Sequence, residues 1–334
     1  MMSKSIKVSV IIPTYNYQEY ISQSIESVLK QTVQDFEIIV VDDGSTDNTR
    51  SVVQVYVDKY PQKVRYIYKE NGGVASALNV GIQMAQGKYI AWLSADDIFF
   101  PTKLEKQLQV FEMYPEVGLC YTDLLVIDGS GRLLKEQRSS YYPNRETRIR
   151  ELLFKPYING STAMFRRECV EKLGGFDEEL NYTADLEFWY RILSHYEVYH
   201  VQEFLIGYRW HGRNDSRNQA RYQYYREKLF EKILQDLDIT GLFPNETSEA
   251  AYLKLAKLLT TKRLFSIAEE QYRRAFLPKH PIKLKLHLMI HRFFNRPRYV
   301  LKAWLGWRIG WYRETLMKKL LKWLWRTTLK ELIC

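Results

Sequence analysis

The most informative stretch for the fold is Phe36-Glu37-Ile38-Ile39-Val40-Val41-Asp42-Asp43-Gly44-Ser45. An apolar run ends there in two acidic residues and a glycine. Its β-branched and aromatic residues predict a short buried strand. A second apolar run, residues 88–93, is followed closely by Asp96 and Asp97. Neighbouring carboxylates repel each other unless a cation or hydrogen-bond donors lie between them. The two clusters therefore predict a site for a divalent cation and a nucleotide at the carboxyl ends of the strands.

Strands and helices alternate around these clusters. Strands are predicted at 8–13, 36–42, 64–68 and 89–93, with helices at 20–29, 49–60 and 77–85 between them. This alternation predicts an α/β fold with a mainly parallel, mixed central sheet. Beyond residue 101 the pattern predicts a helix at 102–114, strands at 117–121, 124–127 and 160–166, and a helix at 185–193. The weakly patterned segment 138–157 is predicted to be a mobile loop or a substrate-facing insertion.

Three parts are predicted along the 334 residues. Residues 1–220 form the α/β domain, residues 221–278 a helical region, and residues 279–334 a basic and aromatic tail. This length suffices for one large domain with an appendage. The apolar spacing between Tyr252 and Pro278 resembles one tetratricopeptide-like helical hairpin, although a stable array of such repeats needs about three.

The charge of the chain is concentrated in the tail. The formal net charge is +10, and residues 279–334 contain fourteen Lys or Arg against two Glu, so the rest of the chain is slightly acidic. Tryptophan and leucine alternate with these cations, as expected for helices at an anionic membrane surface. Two alternatives remain: the apolar side of the tail packs on the preceding domain, or the tail binds nucleic acid, for which no motif is present.

Cysteine content and the amino terminus indicate the compartment. Cys120, Cys169 and Cys334 are scattered and odd in number, so the sequence predicts neither a disulfide framework nor a zinc site. His287 and His291 have the spacing of a zinc-binding helix without a third ligand, and we expect them to be solvated. No signal-peptide core and no membrane-spanning run of about 18 apolar residues is found, which predicts a cytoplasmic protein.

Five motifs in order carry a family resemblance. They are Val10–Asn16, Val41–Asp47, Asn71–Gly73, Ala77–Gly81 and Gly87–Ile90. Together they strongly resemble the family 2 glycosyltransferases of GT-A fold, over roughly residues 6–220. The resemblance implies an inverting enzyme that moves a sugar from a nucleotide diphosphate donor to an acceptor hydroxyl.

The first acidic cluster is expected to bind the nucleotide. By position, Asp43 resembles the residue that accepts a hydrogen bond from the base, and Asp42 would support the turn. Pro13, Thr14 and Tyr15 would line the same pocket, with Tyr15 stacked on the base. The alternative is that residues 42–47 form only a turn and a helix cap.

The second acidic cluster is expected to handle the diphosphate through Mg²⁺ or Mn²⁺. Asp97 is the predicted metal ligand, and Asp96 matches the position that contacts the donor ribose or assists the metal. The commonest family pattern has a further aspartate where this chain has Ser94, which weakens the expectation of metal dependence. His211, in Tyr208-Arg209-Trp210-His211, is a candidate helper of the diphosphate or metal. The alternatives are a capping pair and a structural histidine.

A base must remove the proton of the attacking hydroxyl. Asp185 resembles this base, because Gly174–Glu178 and Asp185–Arg191 match the second signature of the family. The usual Glu-Asp pair is Ala184-Asp185 here, and Glu187 is the substitute if the register is shifted. The alternative is a helix-surface charge.

The combined prediction is a metal-dependent inverting transferase that uses a UDP-sugar and a saccharide or lipid-linked acceptor. It would act in bacterial cell-surface polysaccharide or glycan assembly, peripherally at the inner face of the membrane. A non-catalytic scaffold of a polysaccharide assembly complex is the first rival, and Ser94 and Ala184 favour it. A nucleotidyltransferase is the second, but the segment after the first strand is not a basic, glycine-rich loop.

Overall fold

The computed structural model describes residues 6–212, 214 and 218–276, which fall into two compact units divided between Phe243 and Pro244. The first unit holds the whole sheet and also helix α8 (Gln219–Asp236), whose Leu229, Phe230 and Ile233 are buried. The first compact unit therefore continues beyond residue 220, because α8 completes its core. The predicted tail, residues 279–334, lies outside the described residues.

The described strands are β1 (Val8–Thr14), β2 (Phe36–Asp42), β3 (Val64–Tyr68), β4 (Tyr89–Trp92), β5 (Ile98–Phe99), β6 (Val117–Ile127), β7 (Leu133–Gln137), β8 (Met164–Arg166) and β9 (Glu197–Arg209). The helices before α8 are α1 (Ile21–Leu29), α2 (Thr49–Lys59), α3 (Val74–Met84), α4 (Lys103–Met113), α5 (Arg145–Phe154), α6 (Arg167–Leu173) and α7 (Ala184–His195). Short 3₁₀ turns occupy Gly160–Thr162 and Glu178–Thr183. In the second unit, α9 (Ser248–Thr261) and α10 (Phe265–Phe276) pack together as a helical hairpin.

The strands form one mixed sheet in the order β3-β2-β1-β4-β8-β6-β9-β5, with β7 paired to β6. β1 lies between β2 and β4 and is parallel to both, whereas β8 is antiparallel to β4 and β6. The predicted α/β class with a mainly parallel, mixed sheet is confirmed. The carboxyl ends of β2, β1 and β4 lie side by side at the same end of the sheet. The two acidic clusters come after β2 and β4, at this end.

The centre of the sheet is covered on both faces. Every residue of β1 and β2 is buried, as expected for parallel strands between two helical layers. On one face, α3 approaches β1 so closely that a Cβ at Gly81 would lie 2.4 Å from Cγ2 of Ile11. No helix in the described residues has the length and apolarity that a membrane span requires.

Three local predictions differ from the structure. The segment predicted as a loop, 138–157, contains α5, which begins where the Asn144 side chain accepts a hydrogen bond from the Thr147 amide. Its buried residues Ile149, Leu152 and Leu153 have helical spacing that the surrounding arginines and polar residues obscure. Residues 117–127 form one continuous strand because β9 pairs along their length. The predicted strand at 160–166 begins as a 3₁₀ turn and becomes β8 at Met164.

Candidate active site

Asp42 holds the turn that follows β2. It is almost fully buried and lies opposite Thr14 in the β1–β2 register. Its Oδ1 accepts a hydrogen bond from the Ser45 amide at 2.8 Å, and its Oδ2 accepts one from the Tyr66 hydroxyl at 2.6 Å. The carboxylate is thus committed to the protein itself.

Asp43 holds the segment that leads into α3. Its Oδ1 accepts hydrogen bonds from Lys69 Nζ at 2.7 Å and from the Gly72 amide at 2.9 Å. Its Oδ2 accepts one from the Gly73 amide at 2.7 Å. A carboxylate has about four acceptor positions. Three are filled, which leaves Oδ2 with room for one further donor.

The segment after β1 is joined to the turn that follows β2. Pro13 and Thr14 are buried, whereas Tyr15 is 47% exposed. Asn16 has a φ of 60°, a left-handed conformation that asparagine tolerates better than most residues. Its Oδ1 accepts hydrogen bonds from the Thr46 amide at 2.7 Å and the Asp47 amide at 3.2 Å. Asn16 was part of a recognised motif, but the sequence did not reveal this bridging role.

Asp97 conflicts with its predicted role as the metal ligand. Its side chain has no exposed surface. Oδ1 accepts a hydrogen bond from the Arg209 amide at 2.9 Å, and Oδ2 is 2.6 Å from the Ser161 hydroxyl. Burial, together with the charge of Asp96, raises the pKa of Asp97 well above its usual value. A carboxyl group enclosed in this way supports the loop and is not positioned to bind an ion.

Asp96 lies next to His211. The Nε2 atom of His211 is 3.0 Å from Oδ2 of Asp96, and Asn214 Nδ2 is 3.3 Å from the same oxygen. The imidazole is stacked on Tyr20, with ring centroids 5.0 Å apart. The backbone amide of His211 donates to Asn214 Oδ1 at 2.6 Å. Residues more than a hundred positions apart in sequence thus form one polar site. No signal in the sequence indicates that Asn214 belongs to this site.

Arg209 fixes the loop that bears Asp96. It is fully buried, and its Nε donates to the Asp96 carbonyl at 2.8 Å. Nη1 donates to the carbonyls of Asp128 and Gly129, and Nη2 to Gln23 Oε1 at 2.8 Å. A guanidinium has five donors in a rigid fork, which suits it to join several chain segments. The sequence placed Arg209 in a motif without indicating this role.

The carboxylate oxygens of Asp96 and the imidazole nitrogen of His211 fit a divalent cation only if additional ligands complete its coordination. The described residues contain no group of three or more His, Cys, Asp or Glu that could hold a metal ion. Mg²⁺ usually keeps water and is bound by one or two carboxylates together with substrate phosphates. The pair therefore fits an ion that arrives with a diphosphate, and Asp96 replaces Asp97 as the candidate carboxylate ligand.

Asp185 is the second residue of α7 and is half-buried. Its Oδ1 accepts a hydrogen bond from the Leu186 amide at 2.7 Å. Burial raises the pKa of Asp185 to about 6, against the lowering effect of the backbone hydrogen bonds. The carboxyl group is therefore ionised at neutral pH but more basic than an ordinary aspartate, which suits a proton acceptor.

Glu187 is unsuited to be the substitute base. Only 2% of it is exposed. Its two oxygens accept hydrogen bonds from Nε and Nη2 of Arg191 at 2.7–2.9 Å, and Lys232 Nζ is 3.3 Å away. Arg191 also donates to the carbonyls of residues 173–175. These residues line a cavity of about 340 Å³ beside α6, α7 and α8, and the ion pair has a structural role there.

Helix α3 connects the Asp43 segment to the segment that carries Asp185. The Gly73 amide, which binds Asp43, begins this helix, and a Cβ at Gly73 would lie 2.2 Å from Nδ2 of Asn181. Asn181 is four residues before Asp185. Further along α3, the Asn79 side chain accepts from the Phe176 amide at 2.8 Å and donates to its carbonyl at 2.9 Å. The structure therefore brings the Asp185 segment to the edge where β2 ends.

Comparison with known proteins shows the family of the chain. A model of the family described as "Glycosyl transferase family 2" matches residues 9–174. An uncharacterized glycosyltransferase of Rickettsia prowazekii is 34% identical over 238 residues, which cover 69% of this chain and 72% of the relative. The chain belongs to glycosyl transferase family 2. For other relatives the matched region spans only 36% to 64% of their own length, so this family 2 chain corresponds to part of those proteins.

Solved structures support the GT-A fold of this family 2 chain. S. aureus TarS 1–349 in complex with UDP-GlcNAc superposes with a TM-score of 0.55 at 18% identity, covering 80% of this chain and 81% of that one. The mannosyltransferase PcManGT from Pyrobaculum calidifontis, in complex with GDP-Man and Mn²⁺, gives a TM-score of 0.56 at 21% identity, covering 96% and 88%. Identities this low establish the fold alone.

Proposed function

We propose that the chain is an inverting glycosyltransferase that moves a sugar from a nucleotide-sugar, most simply a UDP-sugar, to an acceptor hydroxyl. The observation that carries this proposal is the pair formed by Asp96 and His211, 3.0 Å apart beyond the end of β4. Because β4 and β2 both flank β1, their ends are about 10 Å apart, a distance of two strand spacings. A nucleoside diphosphate placed across the end of β1 would reach from the Asp43 loop to this pair.

The nucleotide half of the donor is assigned to the segment between Pro13 and Tyr15 and to Asp43. The remaining acceptor position on Asp43 Oδ2 suits an N–H group of a base. Lys69 Nζ, 2.7 Å from Asp43 Oδ1, places a positive charge beside this buried carboxylate. The exposed ring of Tyr15 offers a stacking surface for the base. Uridine is the nucleoside assigned, as in TarS with UDP-GlcNAc, and the GDP-Man complex of PcManGT makes guanosine the alternative.

The diphosphate half is assigned to Asp96 and His211, with Mg²⁺ or Mn²⁺ as the accompanying ion. PcManGT was solved with Mn²⁺, which supports this choice. When bound, the ion would neutralise charge on the leaving diphosphate. The protein contributes the orientation of its two ligands, because Asn214 binds both Asp96 and the His211 amide while Tyr20 fixes the plane of the imidazole.

Asp185 is assigned as the general base. The acceptor oxygen attacks the anomeric carbon from the face opposite the diphosphate, so a new carbon–oxygen bond forms as the bond to the phosphate oxygen breaks. The proton of the acceptor hydroxyl moves to Asp185, and the nucleoside diphosphate leaves with the bonding electron pair. Ala184 removes a neighbouring charge, which leaves Asp185 as the proton acceptor at this position.

The decisive experiment is a thermal-shift screen of UDP-, GDP-, dTDP- and CMP-sugars with and without Mn²⁺, followed by a turnover assay on the donors that bind. Stabilisation by a nucleotide diphosphate sugar and release of the nucleoside diphosphate are expected. A protein that binds no nucleotide-sugar, with either Mg²⁺ or Mn²⁺, would contradict the proposal. Donor binding without hydrolysis or transfer would favour the scaffold alternative instead.

The biological setting is proposed from the sequence. A near-neutral body followed by a basic, tryptophan-rich tail suits a peripheral protein at the inner face of a bacterial membrane. There it would meet a lipid-linked or saccharide acceptor for cell-surface polysaccharide or glycan assembly. No transmembrane helix is needed for this attachment, since an amphipathic segment binds a membrane from one side.

A further inference from the structure

Four tyrosines gather beside Asp185, where the 3₁₀ turn before α7 meets the first turns of α8. The rings of Tyr182 and Tyr225 are stacked, with centroids 5.4 Å apart and planes 12° apart. The ring of Tyr224 meets that of Tyr225 edge-on at 5.2 Å. The Thr183 hydroxyl donates to the Tyr225 carbonyl at 3.3 Å, which joins the two segments. The fourth tyrosine, Tyr222, lies on the same turns of α8.

These rings form a surface that is both aromatic and polar. Tyr224 is 54% exposed, and Tyr182 is half-buried. Arg221 Nη1 donates to the Tyr182 hydroxyl at 3.2 Å, and its guanidinium lies 5.8 Å from the centre of that ring. The ammonium group of Lys228 lies 5.2 Å from the centre of the Tyr224 ring. Cations at the rings orient them and surround the surface with hydrogen-bond donors.

The surface adjoins the proposed base. Tyr182 precedes Asp185 by three residues. Burial raises the pKa of the Tyr222 phenol, Arg226 lowers it, and the nearby charge of Asp185 raises it further. A base must be within hydrogen-bond reach of the hydroxyl that it deprotonates. Whatever carries that hydroxyl must therefore cover the protein surface around Asp185, and the tyrosines form part of that surface.

We propose that Tyr182 and Tyr224 form a platform for a pyranose ring of a saccharide acceptor: the exposed Tyr224 ring stacks on the face of the sugar, and the Tyr182 ring, nearly perpendicular to it, meets the edge of the sugar. This inference rests on the function proposed above and adds the acceptor class. One face of a pyranose presents C–H groups that pack on an aromatic ring, while its hydroxyls bond to phenols and cations at the edge. Arg221 and Lys228 suit those hydroxyls and would be costly to desolvate under an acyl chain. The platform is therefore assigned to the sugar and not to a lipid anchor.

The binding test uses saturation-transfer NMR on the full chain, with methyl glycosides of glucose, galactose, mannose and N-acetylglucosamine as probes. At least one glycoside should receive saturation, strongest on one face of the ring. Tyr224→Ala and Tyr182→Ala should each weaken its binding roughly three- to tenfold, the value of one aromatic contact. Tyr224→Phe should retain binding, because stacking needs the ring and not the hydroxyl. No transfer to any of the glycosides would overturn the proposal.

Tyr114→Ala is the matched control, because Tyr114 is also partly exposed (37%) and stacked, on Tyr199, but lies at the end of α4. It should leave glycoside binding unchanged. In turnover assays the two platform variants should raise the acceptor KM, and Tyr114→Ala should leave it unchanged. Wild-type protein that neither hydrolyses nor transfers would reject the proposed function. Wild-type turnover with an acceptor KM unchanged in both platform variants would reject only the platform.

Discussion

The imidazole Nε2 of His211 lies 3.0 Å from the carboxylate Oδ2 of Asp96, whereas the adjacent Asp97 is enclosed by the Arg209 amide and the Ser161 hydroxyl. Two consecutive aspartates therefore have opposite surroundings. Asp96 contacts a histidine at the polar end of the sheet. Asp97 is buried and binds groups that hold the loop in place. This difference decides which of them can serve a cation.

Asp96→Asn should weaken Mn²⁺-dependent binding of a nucleoside diphosphate by about 100-fold, since a carboxylate ligand of a bound ion is worth several kcal/mol. Calorimetry with UDP and Mn²⁺ measures this loss. Binding of UDP without metal should change little.

Asp97→Asn is the matched control for that substitution. An asparagine amide can still accept from the Arg209 amide and donate to the Ser161 hydroxyl, so folding and nucleotide affinity should both be retained. Asp97→Ala leaves the Arg209 amide unpaired, whereas the Ser161 hydroxyl keeps its contacts with Ser94, and the substitution should cost about 1–3 kcal/mol of stability. Loss of Mn²⁺-dependent binding in Asp97→Asn, with Asp96→Asn unaffected, would restore Asp97 as the ligand.

The pH profile of transfer should rise through about 6, because burial raises the pKa of Asp185 to about 6 and only its ionised form accepts a proton. Below that pH the carboxyl group is protonated and kcat should fall tenfold per pH unit. Asp185→Asn should bind donor normally and transfer at least about 1000-fold more slowly, a loss within the range of general-base contributions. Equal loss of donor binding in this variant would show that Asp185 acts in the donor site instead.

Gly73→Ala should abolish donor binding and transfer together. Gly73 has a φ of 90°, and an added Cβ would lie 2.2 Å from Asn181, so both the Asp43 loop and the Asp185 segment must move. Gly131→Ala is the control with the same backbone strain, since its φ is 88° but the nearest atom to its Cβ is 3.9 Å away. Gly131→Ala should lose some stability, about 1 kcal/mol, and keep activity. Full activity in Gly73→Ala would contradict the connection through α3.

Lys103→Met should stabilise the chain more at pH 7 than at pH 9.5. Lys103 has no exposed surface, and burial lowers its pKa to about 7, with Gln107 Oε1 as its partner at 2.7 Å. The folded state disfavours the ammonium form, so this cost is full below pH 7 and fades as the pH approaches 10.5. The gain should differ by about 3 kcal/mol between the two pH values. Urea denaturation measures it, and Lys106→Met, at a partly exposed position of the same helix, is the control.

Removal of residues 279–334 should release the protein from anionic vesicles in a flotation assay. Each cation near such a surface adds about 1 kcal/mol and is screened by salt. The full chain should therefore float at low salt and dissociate as salt rises. Truncated protein that floats as well as the full chain would assign the tail to packing instead.

Secondary structure around the site was largely predictable from local pattern. The apolar runs that become β1, β2 and β4 are short, rich in β-branched residues and followed by polar turns, and each lies where it was expected. Helix α5 was missed because polar residues hide its apolar spacing, and only its burial against the core reveals it. The apolar face of α8 does not disclose, in the sequence, that this helix completes the first compact unit.

The sequence by itself determined the α/β class, the family and the edge of the sheet that carries Asp43, Asp96 and Asp97, because strand periodicity and strand-end chemistry are local properties. Chain packing established which carboxylate faces His211 and which one is buried. It also established that Arg191 and Lys232 hold Glu187, whereas Asp185 has no such ion pair within the part of the chain that the structure describes. The hydrogen-bond partners of Asp97 and Asp96 are far away in the sequence. Ser161 and Arg209 for Asp97, and His211 for Asp96, lie 64 to 115 positions from the aspartate that they contact. Consecutive residues of the same type share a sequence environment, and chain packing alone gives them different electrostatics.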